Sequence, residues 1–199
     1  MVNGAMPKFN NRENKRIELP NGDLFFHARS TAVVACVICM VGDVPHVLMV
    51  ERGEKVDNSG LWCLPCGYLD WDESLGEAVV RELFEETGLD IGEIPQERII
   101  HRDENVPYYI ESSPKAHRQN ISHHFGIALR GPLPALNAKA AIESGEIQQA
   151  EWVKMSAIPT NAEIRQDALN LEGMFAFEHN ERAHRFVSFL KERGIINAQ

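Results

Sequence analysis

The sequence predicts an α/β fold, and three observations carry that expectation. Residues Thr31 to Val41 are dense in Val, Ile and other apolar side chains and end at Gly42, the pattern of a strand buried on both faces. Helical periodicity then takes over from Ser74 to Thr87, where Val79, Val80 and Leu83 gather on one side and Gly88 stops the run. Strand-like runs resume after it, and two helical segments follow them.

Residues 1 to 20 are polar and rich in asparagine (Asn10, Asn11, Asn14), so residues 1–24 read as an N-terminal arm and 25–199 as the folded domain. Asn21-Gly22 is a turn signal, and Leu24 to His27 suits a short strand. Gly42 to Pro45 turns the chain, and His46 to Arg52 returns it as a hairpin partner for the first long strand. Residues 53–60 form a polar loop. The helix follows, with Asp72 in position to cap it. Glu97 to Arg102 and Pro107 to Ile110 read as strands, 111–120 as a polar and mostly basic loop, and Ile121 to Arg130 and Gln149 to Lys154 as the last two strands. The helical segments run over Ala162 to Phe175 and Glu178 to Arg193. In the second, Phe186, Phe189 and Leu190 share a face suited to core packing. There is no internal repeat and no low-complexity segment.

The composition, 44% apolar and 25% charged over 199 residues, is that of a globular protein with a sizeable core. The longest apolar stretch, Ala32 to Val41, is too short for a bilayer span. With no positively charged start leading into an apolar run, a cytoplasmic protein is expected. A formal net charge of −9 argues against a broad grip on nucleic acid. Most of it is local: residues 67–90 hold eight acids and one base.

The four cysteines form two C-x-x-C pairs, Cys36/Cys39 and Cys63/Cys66. Without export signals they read as free thiols or ligands rather than a disulfide framework. The first pair lies inside the apolar strand, where residues three apart point to opposite faces, so the two thiols cannot grip one ion. A four-cysteine zinc site is therefore disfavoured.

The acidic helix carries the chemistry. Glu82, Glu85 and Glu86 fall within an arc of roughly 100° on one face. Like charges at this spacing weaken a helix unless a cation lies between them. Oxygen-only ligands suit a hard ion such as Mg²⁺ or Mn²⁺. The plainer reading of three glutamates alone is a solvated acidic face. They are not alone, however: Gly67, Glu73, Arg81, Glu82, Leu83, Glu85, Glu86, Gly88 and Leu89 fit G-x5-E-x7-R-E-U-x-E-E-x-G-U, where U is aliphatic.

In this pattern the sequence resembles the Nudix hydrolase family, and all nine fixed positions of the family's box are present. The order of elements extends the resemblance to roughly residues 25 to 160. It implies an α/β/α sandwich around a mixed sheet, with the box as a loop–helix–loop. The family commonly has W-x-x-P-G-G ahead of the box; here the place reads Trp62-Cys63-Leu64-Pro65-Cys66-Gly67, with Cys66 where a first glycine is usual. The second C-x-x-C thus reads as part of the lead-in to the box.

The resemblance implies hydrolysis of the diphosphate bond in a nucleoside diphosphate linked to another group, dependent on Mg²⁺ or Mn²⁺, with more than one ion once substrate is bound. It implies the Gly67 carbonyl, Glu82, Glu85 and Glu86 as metal ligands, and Glu73 and Arg81 as partners that steady loop and helix. Glu82 is one candidate general base. Another is expected from the loop before the last strand, where Glu146 is favoured over Glu143. Among basic residues near the site, Arg52 and Arg118 are candidate substrate contacts, with Arg29, Lys55, Lys115 and His117 behind them. Trp62 would stack on a base or close the core. His123 and His124 lie in a strand and point apart. The substrate group stays open between ADP-ribose or nucleotide-sugar types and nucleoside triphosphates. The resemblance also suggests a homodimer. The alternative is a catalytically silent domain of the same fold that senses a nucleotide and regulates a partner.

Overall fold

A computed structural model describes residues 15–27, 31–113, 120–166 and 174–197. Its first two strands, β1 (Lys15–Glu18) and β2 (Leu24–His27), form an antiparallel hairpin of their own around the turn at Asn21-Gly22. The start of the arm, 1–14, lies outside the described residues.

Eight strands make the main sheet. β3 (Thr31–Val41) and β4 (Val44–Arg52) pair as the expected hairpin. β9 (Asn120–Arg130) runs parallel to β3, from Thr31 opposite Ile121 to Met40 opposite Arg130. β10 (Ile147–Lys154) lies antiparallel on β4, and β7 (Ile99–Asp103) and β8 (Tyr109–Ser113) lie antiparallel on β9. Two short strands fall outside the sequence expectation: β5 (Trp62–Cys63) on β4 and β6 (Cys66–Tyr68) on β3. Runs of two and three residues carry too little periodicity to announce themselves. The parallel β3/β9 pair is central, which fits strands that are apolar on both faces.

The strand period sorts β3 between two cores. Val33, Ala35, Val37 and Cys39 face helix α1 (Leu75–Thr87), packing with its Ala78, Val79 and Leu83. Val34, Cys36 and Ile38 face helix α4 (His179–Glu192), packing with Ala183, Phe186 and Leu190. The result is an α/β/α sandwich. Cys36 and Cys39 sit in opposite cores, as their spacing requires.

Helix α1 starts at Ser74, not at the expected Asp72. The Ser74 hydroxyl accepts from the Glu77 amide, and the Glu77 carboxylate accepts from the Ser74 amide, a reciprocal capping box typically contributing about 1 kcal/mol. Gly88, at φ +68°, ends the helix in the left-handed conformation. Helix α2 (Lys139–Ser144) is short. Helix α3 (Asn161–Gln166) covers only the start of the expected 162–175 helix: residues 167–173 lie outside the described residues, and Phe175 is extended. Among the described residues no helix is long and apolar enough to cross a membrane.

Candidate active site

Sheet pairing fixes the loop ahead of α1. Gly67 lies opposite Val33 and Cys66 opposite Val34, which lays the backbone of the box's first glycine against the helix. A Cβ on Gly67 would stand 2.1–2.3 Å from the Glu82 carboxyl group, so only a glycine lets that carboxylate lie over the strand. Glu86 reaches the same turn, accepting from the Cys66 amide at 3.0 Å.

Arg81 organises the acids around it. Its Nε and Nη2 donate to Glu73 Oε2 and Oε1 at 2.9 and 2.5 Å, and Nη2 also donates to the Tyr68 carbonyl. Its Nη1 donates to Glu82 Oε1 at 2.8 Å and Glu85 Oε2 at 2.9 Å. The Glu73 side chain is fully buried, and its Oε1 also accepts from the Asp70 amide. One guanidinium thereby ties the loop to the helix and orients two of the three helix-face glutamates. Burial works against its charge, but the bonds to Glu73 and Glu82 outweigh that and hold it above the ordinary arginine range.

The three glutamates exceed what one arginine can balance. Burial, opposed by Arg81, pushes Glu82 up to about 7. Burial, together with Cys66 and Glu82, pushes Glu86 well above the usual carboxylate range. Glu85 is 53% exposed. Each has an oxygen that takes no hydrogen bond among the described residues: Glu82 Oε2, Glu85 Oε1 and Glu86 Oε1. Two buried carboxylates and an exposed one on one helix face, each with a free oxygen, fit a hard divalent cation.

These groups line a cavity of about 860 Å³. Glu146, exposed in the loop before β10, lines it too. Glu143 points elsewhere, 3.7 Å from Lys139 on the outer side of α2. Arg52 lines the cavity, but its Nη2 donates to Asp57 Oδ1 at 2.6 Å, its Nε to the Asp57 carbonyl, and its guanidinium lies 5.0 Å from the Phe177 ring centre. It is thus built into the wall rather than free to swing. Trp62 packs half-buried against the α4 core, its amide donating to the Met174 carbonyl, and is not among the cavity-lining residues described. Arg29, Lys115, His117 and Arg118 lie outside the described residues. Lys55 donates to the Ser144 carbonyl.

The opposite wall was not foreseen. It comes from β9 and the start of α4: Asn120, Ser122 and His124 on one strand face, with Phe177 and His179 across from them. Phe177 and Glu178 both hold positive φ, 59° and 55°, a costly conformation for side chains of their kind. Phe177 remains 41% exposed at the cavity. His124 is buried, and neither ring nitrogen has a hydrogen-bond partner among the described residues. Burial, with help from Arg182, lowers its pKa to about 3, so the ring is neutral. The His179 Nδ1 accepts from the Leu64 amide at 3.0 Å, across 115 residues of sequence. Nothing local in the sequence marks these residues, because sheet closure alone brings them to the box.

Comparison with known proteins identifies the family and the fold. The NUDIX domain family model matches residues 29–171. Over 56 residues the chain is 46% identical to Phosphatase NudJ of Escherichia coli; the match covers 28% of this chain and 33% of that protein, so the chain spans about a third of the curated relative. A bifunctional NMN adenylyltransferase/ADP ribose pyrophosphatase from Francisella tularensis, solved with AMP and a manganese ion, is 25% identical over 83% of this chain and 42% of its own, with a TM-score of 0.53. An Ap4A hydrolase from C. elegans shares the fold at 15% identity, covering 82% of this chain and 99% of its own, with a TM-score of 0.56. With a family model matched over most of its length and its fold shared with these structures, the chain belongs to the Nudix family.

Proposed function

We propose that this protein hydrolyses the diphosphate linkage of a nucleoside diphosphate joined to a further group, using Mg²⁺ or Mn²⁺. One observation carries the reading: Glu82, Glu85 and Glu86, on one helix face, line a single cavity with Gly67 and Glu146, and Arg81, the one arginine bonded to them among the described residues, reaches only Glu82 and Glu85. A bare anionic substrate would be repelled there, so the site makes sense only with cations between protein and phosphates. The Francisella relative, described with manganese and AMP, supports that choice of ion and ligand class. A cavity of about 860 Å³ is ample for a nucleotide and an attached group.

The ions would lie on Glu82, Glu85, Glu86 and the Gly67 carbonyl. Bound there, they supply a Lewis acid for the phosphate oxygens and lower the pKa of an attacking water. The chain's own part is positioning and proton transfer. Arg81 and Glu73 hold the helix face and loop in register. Glu82, which burial pushes up to about 7, and Glu146, exposed at the cavity, are the two candidate acceptors for the proton of the attacking water. Arg52 and Phe177 offer a charged and an aromatic surface to the rest of the substrate.

The test is product release from a panel of ADP-ribose, nucleotide sugars, diadenosine polyphosphates, NADH, CoA and nucleoside triphosphates with Mg²⁺. Glu85→Gln and Glu86→Gln should each remove most turnover of the preferred substrate while leaving the fold intact. Either variant working near the wild-type rate at saturating Mg²⁺ would show that the ligands lie elsewhere.

A further inference from the structure

The cysteine pair ahead of the box reads differently once the fold is known. Cys63 and Cys66 bend around Leu64-Pro65, and the N-terminal residue of α4, His179, comes up against the same turn. One ligand atom from each of Cys63, Cys66 and His179 lies within 4.8 Å of the other two. Cys36 and Cys39, buried in separate cores, contribute nothing to the group.

We propose that Cys63, Cys66 and His179 form a site for one thiophilic cation of the Zn²⁺ class, separate from the carboxylate row. The spacing is close to what such an ion needs. Zinc lies about 2.3 Å from thiolate sulfur and about 2.0 Å from imidazole nitrogen, so two sulfurs around a tetrahedral ion stand roughly 3.8 Å apart. A contraction of no more than about 1 Å closes the site. The chemistry of the donors separates the two ion positions. Two thiolates and an imidazole select soft or borderline metals, whereas carboxylates and a carbonyl select Mg²⁺ or Mn²⁺.

The surroundings are compatible with the ion. His179 Nδ1 already directs its lone pair at the turn, where the Leu64 amide donates to it; the ion replaces that hydrogen bond. Arg52 Nη1 lies 3.9 Å from Cys63 Sγ and can donate to a metal-bound thiolate, while Asp57 balances its charge. Cys66 and His179 line the cavity, which leaves the fourth position open towards it. The backbone at Cys66 does not hold the positive φ that would demand glycine, so nothing in the turn resists a side chain there. The ion would add a bond between the lead-in of the box and α4, beside the His179 hydrogen bond and the packing of Leu64 against α4.

The experiment reads the ion, not turnover, so its outcome is independent of whether the hydrolase reading holds. Reduced full-length protein is cleared of metal, held in excess Mg²⁺ to fill the carboxylate row, and titrated with Co²⁺. A sulfur-to-cobalt charge-transfer band in the near ultraviolet should rise and saturate at one equivalent, and Zn²⁺ should displace it. C66G, which places a glycine where the Nudix lead-in usually has one, should lose the band while its metal-free thermal unfolding stays close to wild type. C63A is the second reading should C66G fold poorly. H179Q, which can still accept from the Leu64 amide, should shift binding at least tenfold weaker. Absence of the band in wild type, its persistence in C66G or C63A, or an unchanged titration in H179Q would overturn the site.

Discussion

Replacing Gly67 by alanine separates the geometry of the proposed metal row from the stability of the fold. The new methyl group would meet Glu82 Oε1, Cδ and Oε2 at 2.1, 2.2 and 2.3 Å. Comfortable contact is about 3.5–4.0 Å, so the carboxyl group must retreat by more than about 1 Å. It can do so, because it is the end of a flexible side chain rather than backbone. The retreat strains its 2.8 Å bond to Arg81 Nη1 and moves its free oxygen off the Gly67 backbone. The fold should barely register the change: reduced freedom of the unfolded chain returns about 0.4–1 kcal/mol against a weakened, partly buried ion pair. The melting temperature should move by no more than about 4 °C. Turnover should fall about 100-fold, the usual consequence of misplacing a catalytic group by about 1 Å. The assay is kcat/KM on the preferred substrate at saturating Mg²⁺, with thermal unfolding alongside. Activity within about threefold of wild type would refute the placement of Glu82 in the metal row. A collapse in melting temperature with a proportionate loss of activity would instead make Gly67 a folding residue.

Other outcomes follow from the same geometry. Arg81→Lys keeps the charge but loses the fork that spans Glu73, Glu82 and Glu85. It should cost about 2–4 kcal/mol, seen as a lower urea midpoint, and lower turnover as well. Glu146→Gln should lower kcat by about 100-fold or more, whereas Glu143→Gln, whose carboxylate pairs with Lys139 away from the cavity, should leave kcat unchanged; equal effects would displace Glu146 from the site. His124 has a folded pKa of about 3 against 6.5 in the unfolded chain. Above about pH 6.5 both states are neutral and its contribution to stability is intact; below it only the unfolded chain gains the proton, and stability falls by up to about 1.4 kcal/mol per pH unit. His124→Gln, compared with wild type in chelator from about pH 7 to about pH 5, should flatten the loss of urea midpoint by that share. Parallel curves would mean that His124 is not held neutral.

What the sequence discloses and what it hides divide along sequence separation. The box is legible because its partners are near neighbours: Arg81 and Glu85 are four residues apart, an interval a helix turns into a contact by its own geometry, and Glu73, eight residues before Arg81, is brought back to it by the loop just ahead of the helix. The long strands are legible for a like reason, since β3 and β9 each hold many apolar residues. Even there the local signal is coarse. Asp72 and Ser74 both suit a cap, and only the Glu77 carboxylate, three residues beyond Ser74, decides between them. Trp62 shows the opposite limit. An aromatic beside a box suits either a stacking platform or the core, and only the tertiary packing, which sets Trp62 half-buried against the α4 core, distinguishes them.

The cavity's second wall depends on contacts that no local pattern encodes. His179 meets Leu64 across 115 residues, Arg182 meets Glu111 across 71, and Phe177 reaches Arg52 only because the chain takes two consecutive left-handed steps before α4. The two walls also differ in what they can vary. The box wall is over-determined: moving Glu73, Glu82 or Glu85 disturbs the Arg81 network that holds the other two, so its chemistry tolerates little change. The far wall is a strand face and a helix start, whose His179 bonds to Leu64 in the lead-in to the box and whose Phe177 meets Arg52 of β4. On the proposed function, changes there should leave the proposed metal ligands standing while altering the space and polarity offered to the group beyond the diphosphate. Substrate choice in this protein should therefore respond to Ser122, His124 and Phe177 through KM, and the rate of bond cleavage to Glu82, Glu85 and Glu86 through kcat. A panel in which Phe177→Ala lowers kcat equally for every substrate, leaving their KM values in place, would contradict that division.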